Sequence, residues 1–176
     1  VGIVGHDVLR IGDTLADDRS IVFNEIPRFT PECFASLHNP QPANAKKFRL
    51  GLEQLMQEGV VQLLHIGTGQ AKLPLLAAVG PLQFEVVQYR LKSEYGAESR
   101  LEPSRWKIVR WWRKAGVDEE WRPEMPSDAT LAEDRDGKPV ILFADEWALR
   151  YFTKQNPTVE LMEEPPMVAT TAGREA

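Results

Sequence analysis

The segment Arg105-Trp106-Lys107-Ile108-Val109-Arg110-Trp111-Trp112-Arg113-Lys114 holds five positive charges, three tryptophans and no acid. Cations engage phosphate oxygens, and indole rings stack on nucleobases or pack beneath guanidinium groups. The chemistry on offer is recognition of a nucleic-acid backbone, with Arg110, Arg113 and Lys114 as candidate contacts. A second reading stays open. Strand alternation would turn Trp106, Ile108 and Trp112 toward a core and leave the cations as a solvated rim.

Other reactive residues carry less. Gly67-Thr68-Gly69-Gln70-Ala71-Lys72 invites a phosphate-loop reading. Such a loop needs a helix N-terminus directly behind it. Here the glycines join two strand candidates, so a hairpin turn is expected. No G-x-x-x-x-G-K-[ST] occurs, so this chain has no Walker-type nucleotide site. His6, His38 and His65 have no metal-like spacing. Ser93 and Cys33 lack a visible base and orienting group. The acid pairs Asp17-Asp18, Glu119-Glu120 and Glu163-Glu164 sit in polar sequence and read as solvated charge. No catalytic, cofactor-binding or metal-binding residue is therefore expected.

The elements that must position these groups follow from composition and periodicity. The 176 residues suffice for one domain with additions, and 43% are apolar, enough for a core. The net charge of −5 argues against a general nucleic-acid binder, though not against a local basic patch. A single cysteine excludes an intramolecular disulfide and fits a reducing cytoplasm. No apolar run of about 18 residues is present. Neither a membrane nor DNA is expected as a partner. Val1 falls inside a strand-and-turn pattern, so a piece of a longer chain is expected.

Residues 1–30 read as short strands and turns, with Ser20 to Phe23 a brief strand. Cys33 to Leu37 is a strand candidate, and 43–58 a helix with Phe48, Leu52, Leu55 and Met56 on one face. Val60 to Ile66 and Leu73 to Val79 follow as strands. A helix over 81–95 begins at Pro81 and ends at Gly96, with Phe84, Val87, Leu91 and Tyr95 on one face. Glu98 to Leu101 completes a β-α-β-β-α-β order, a ferredoxin-like split unit. Beyond it come the Arg105–Arg113 strand, a mobile connection over 115–130 and a hairpin from Glu133 to Ala144 around Asp136-Gly137. A helix capped by Asp145 and a strand from Val159 to Met162 follow. A disordered tail is expected from 164.

Several blocks resemble one family. Ala78-Val79-Gly80-Pro81-Leu82-Gln83-Phe84-Glu85-Val86-Val87 and the Arg90-Leu91 and Glu94-Tyr95 that follow are similar to the third-domain strand–helix core of translational GTPases, above all the release factor 3 family. Ile26-Pro27-Arg28-Phe29-Thr30-Pro31-Glu32-Cys33-Phe34 resembles that family's linker. Gly51 to Gln62 resembles its helix–strand block, and Arg105-Trp106 sits where it has a similar pair. Ile11-Gly12-Asp13-Thr14 resembles the close of its β-barrel domain.

The resemblance implies an α+β third domain over 31–163, preceded over 1–30 by the end of the barrel. It implies a cytoplasmic factor that binds the ribosome in translation termination and couples GTP state to release-factor recycling. GTP or GDP with Mg would belong to a GTPase domain elsewhere in the parent. This portion would perform no chemistry, and its partners would be the ribosome, both RNA and protein, and its own GTPase domain. Arg110, Arg113 and Lys114 then become candidate ribosomal RNA contacts. Two alternatives stay open: a third-domain piece of an elongation or ribosome-protection factor, and a ferredoxin-like module regulated by a small ligand.

Overall fold

Pro81 and Gly96 bracket an α-helix, α2 (Leu82–Tyr95). Gly96 adopts φ 63°, and the Gly96 and Ala97 amides donate to the carbonyls of Lys92 and Leu91 at 3.2 and 3.0 Å. This pair of bonds closes the helix as a Schellman motif. At the other end Gln83 Oε1 accepts from the Val79 and Gly80 amides, while Nε2 donates to the Val60 carbonyl at 2.9 Å. One side chain thus fixes the helix start to the chain entering the neighbouring strand. Phe84, Val87 and Leu91 are buried, as their spacing predicts.

These features come from a computed structural model that describes residues 14–18, 21, 29–67, 72–114 and 123–165, with Lys114 by its backbone. The expected barrel end over 1–30 lies almost wholly outside the described residues. So do 68–71, 115–122 and the tail beyond 165.

Four strands build the first half of a sheet: β1 (Cys33–His38), β2 (Gln62–Ile66), β3 (Leu73–Ala78) and β4 (Arg100–Pro103). Their order is β4-β1-β3-β2, antiparallel throughout. A 3₁₀ turn over Pro42–Asn44 leads into α1 (Ala45–Gln57), which buries Gly51 and Leu55. With α2 this is the ferredoxin-like unit. The last strand falls two residues later than the spacing predicts, because its register is set by pairing with β1, Ala35 opposite Pro103 and His38 opposite Arg100.

The sheet does not stop at β2. It continues through β6 (Ala129–Asp134), β7 (Pro139–Phe143), β5 (Ile108–Lys114) and β8 (Val159–Met162), giving eight strands in the order β4-β1-β3-β2-β6-β7-β5-β8. Gly137, at φ 77°, makes the β6–β7 turn. The third helix, α3 (Glu146–Gln155), is capped by Asp145, whose Oδ1 accepts from the Ala148 amide at 2.9 Å.

Alternation along the strands defines three apolar layers. Phe34, Leu64, Leu75 and Ala77 of the first half share a core with Val109, Trp111, Ala132, Val140 and Leu142 of the second. The sheet is therefore folded so that its two halves bury one face together. On the opposite face of the first half, Ala35, Leu76 and Ala78 meet Leu55, Phe84, Val87 and Leu91 of α1 and α2. On the opposite face of the second, Ile141 and Phe143 meet Ala148 and Phe152 of α3, with the Phe143 and Phe152 rings edge-to-face at 5.7 Å.

Candidate nucleic-acid interface

β5 is an inner strand between β7 and β8, and both of its faces carry apolar residues. Val109 and Trp111 enter the shared core, while Ile108 and Trp112 pack on the α3 side. The structure bears out the core reading of the tryptophans in part: Trp106 packs against the shared core and Trp112 on the α3 side, so the two do not share one face. It adds Trp111, which strand alternation alone did not put there. Trp111 is 2% exposed, and its indole Nε1 donates to Asp134 Oδ2 at 2.9 Å. The other oxygen of that carboxylate accepts from the Asp136 and Lys138 amides at 3.0 and 2.8 Å. A buried acid is costly unless it is hydrogen-bonded. Here one carboxylate satisfies an indole and the tight turn together.

The candidate cations lie on different faces of the same strand. Arg110 shares the α3 face with Ile108 and Trp112. Its side chain is 18% exposed, and it pairs with Glu163 at 3.0 Å. Arg113 stands directly across from Glu160 of β8 and binds it through two bonds of 2.8 and 3.1 Å. The paired guanidinium holds the Glu160 carboxyl below the ordinary carboxylate range. Lys114 stands opposite Val159 at the end of the strand. Arg105 lies 4.6 Å over the Trp106 ring and pairs with Asp128 at 2.9 Å.

Arg110 also borders an open groove of about 530 Å³ between β5, β8 and α3. Leu149 and Leu161 give it an apolar floor, and Arg150, Thr153 and Lys154 form its α3 wall. Arg150 and Lys154 are exposed. No ion pair joins either to an acid among the described residues. The strand-centred reading passed over these two residues. Their spacing of four on a capped helix is the signal that places them side by side.

The remaining candidates stay apart. His38 lies 3.3 Å from Glu102 on the surface, and His65 is half-buried on the inner strand β2. Ser93 is exposed, and Cys33 packs against the α1–α2 layer. Ile66 at the end of β2 pairs with Leu73 at the start of β3, so a strand follows the glycines where a phosphate loop needs a helix. The residues around Gly67 do not fit a nucleotide phosphate. Among the described residues no three His, Cys, Asp or Glu side chains gather as a metal site, and no helix is long and apolar enough to cross a membrane.

The sequence that builds these strands and helices matches a known family. Residues 23–153 match the family model described as Class II release factor RF3, C-terminal domain. The chain belongs to the class II release factor RF3 family. Among its relatives, peptide chain release factor 3 of Synechococcus elongatus is 39% identical over 169 residues, covering 96% of this chain and 30% of the relative. That of Gloeobacter violaceus is 38% identical over 167 residues, covering 95% and 32%. That of Microcystis aeruginosa is 39% identical over 167 residues, covering 95% and 30%. The chain spans about three tenths of the length of these curated relatives. Membership decides for the release factor 3 resemblance over an elongation- or protection-factor one, and it fits the ferredoxin-like unit seen here.

Proposed function

We propose that this chain is the ribosome-facing C-terminal region of a release factor 3-type termination factor. The observation that carries the reading is the family match over residues 23–153. In this reading residues 1–30 close a β-barrel, 31–163 form the α+β domain, and 164–176 are a tail. The parent acts in the cytoplasm as a GTPase, binding GTP or GDP with Mg through a domain not contained in these residues. This region performs no chemistry. It contacts ribosomal RNA and protein and relays conformational change to the GTPase domain during release-factor recycling.

Arg110, Arg113 and Lys114 are proposed to contribute to that contact. Arg110 and Arg113 are held by Glu163 and Glu160, so binding would exchange carboxylates for phosphates. The Arg113–Glu160 pair is exposed, and exposed ion pairs contribute little, so that exchange costs little. The test is co-sedimentation with ribosomes across a salt series, comparing the chain with an Arg110→Ala, Arg113→Ala, Lys114→Ala variant. Each lost phosphate contact is expected to flatten the salt dependence by roughly 0.7 to 0.9 in logarithmic slope. Unchanged affinity and slope in a folded variant would refute the contact.

A further inference from the structure

The outward face of α3 combines exposed cations with aromatic rings, and of these Tyr151 bonds another segment, its hydroxyl donating to Glu124 Oε1 at 3.4 Å. Trp147, Arg150, Tyr151 and Lys154 fall within an arc of roughly 100° on the helix. The core-facing side is already filled by Ala148 and Phe152. Trp147 is nevertheless 62% exposed, with its ring stacked on Tyr151 at 5.4 Å and 26°. Arg150 and Lys154 stand beside these rings without an acidic partner among the described residues, although Glu146 lies one turn before Arg150. The groove shared with Arg110 flanks Arg150 and Lys154 on the side away from the two rings, and Glu163, the partner of Arg110, also lines it.

We propose that this face is a docking site for an unpaired segment of ribosomal RNA. Arg150 and Lys154 would engage phosphates, and the exposed indole of Trp147 would stack on a base. This rests on the ribosome-contact reading above and extends it to residues outside β5. The occupant is chosen by complementarity. Two unpaired cations on a chain of net charge −5 call for an anion. A flat exposed indole calls for a planar partner, which an acidic peptide does not supply. A duplex keeps its bases stacked inside, whereas unpaired bases are free to stack on aromatic side chains. Unpaired cations alone do not make the case. Lys46, Lys47 and Arg49 of α1 are also exposed, but no exposed ring interleaves with them.

The test uses the 176-residue chain, a fluorescein-labelled 12-nucleotide oligouridylate and purified ribosomes. Arg150→Ala with Lys154→Ala is expected to weaken oligouridylate binding and lower its salt slope by about 1.4, some 0.7 for each of two contacts. Trp147→Ala is expected to weaken it roughly tenfold with the slope unchanged, and Trp147→Phe to retain most of the affinity. Ribosome binding should weaken in the same variants. Circular dichroism melts check that each variant is folded. The proposal is overturned if these variants bind oligouridylate as the parent does. It is also overturned if an RNA duplex or an oligoglutamate of equal charge binds as tightly. If ribosome binding is lost in the Arg110, Arg113, Lys114 variant and kept in the α3 variants, the α3 site fails and the ribosomal reading stands. If the chain does not bind ribosomes but takes up oligouridylate through α3, the ribosomal reading fails and an RNA site remains.

Discussion

The two halves of the sheet are covered on their outer sides in different ways. Over the first half, α1 and α2 pack on each other as well as on the strands. Gly51 makes the close approach, for a Cβ there would lie 2.7 Å from Tyr95 Cγ and 2.8 Å from Leu91 Cδ2. Arg90 ties the two helices together, bonding Glu58 at the end of α1 and Glu94 on α2. Over the second half α3 lies alone. Its ends are held by polar groups, Asp145 at the start and the buried Asn156 at the finish. Asn156 donates to the carbonyls of Phe152 and Glu124 and accepts from the Glu124 amide. Both layers expose cations and aromatic rings, but arranged differently. In the first layer the exposed Tyr89 adjoins Arg90, toward the C-terminal end of α1, and Lys46, Lys47 and Arg49 lie at the other end. On α3 the rings and cations share one face. Charge content alone does not separate the two surfaces: on α2 the exposed Tyr89 also has a cation one turn on, Lys92, but it is paired with Glu98, whereas Arg150 and Lys154 have no acidic partner among the described residues.

The first half of the sheet is most sensitive in its core. Val87, fully buried between α2 and the first half of the sheet, tolerates no charge. Val87→Asp is expected to cost several kcal/mol against a typical total stability of about 5–15 kcal/mol, so thermal melting should show a largely unfolded protein. A variant melting like the parent would mean that α2 is packed through another face.

The second half should fail at a polar group instead. Asp134→Ala orphans the buried Trp111 indole and two turn amides, and a loss of about 2–4 kcal/mol is expected in denaturant titration. Trp111→Phe in the same background should recover part of that loss, since it removes the orphaned donor. Absence of any recovery would show that the indole–carboxylate bond is not the coupling.

Gly51→Ala sharpens the contrast between a paired and a single helix layer. Alanine favours the helix by about 1 kcal/mol, but overpacking costs about 1–3 kcal/mol. Because the clash is with the root of the Tyr95 ring, net destabilisation is expected. Stabilisation would show that the helices separate freely.

Much of this arrangement is legible in the chain because its signals are local. Pro81, Gly96, Asp145 and Gly137 each mark an end or turn through their own backbone or side-chain chemistry, and the elements lie where these residues place them. β6 is less legible. It begins at Ala129, four residues before the hairpin pattern does, because Ala-Thr-Leu-Ala pairs along its length with β7. No local pattern around Asp136-Gly137 singles out Asp134, and only the arrival of Trp111 from another strand explains its burial. The partners of Arg110 and Arg113 depend on β8, about fifty residues later, and the bare cations of α3 stand out only once those pairings are known.

The smallest expected effect concerns pH. Arg90 and Arg113 hold the carboxyls of Glu94 and Glu160 below the ordinary range. The unfolded chain therefore binds their protons at higher pH than the folded one. Their stabilisation is present above the ordinary carboxylate range and lost as pH falls through the lower folded values. Glu94→Gln and Glu160→Gln should each lower the melting temperature slightly near neutral pH and converge with the parent in acid. Differences that grow toward low pH would reverse the assigned sign.

We propose that the second half of the sheet, with α3, is the side that meets ribosomal RNA. Lysine acetylation footprinting of the chain with and without ribosomes, read by mass spectrometry, tests it most directly. Lys114 and Lys154 are expected to be protected while Lys46 and Lys47 react as in the free chain. Protection of Lys46 and Lys47, with Lys114 and Lys154 unchanged, would contradict it.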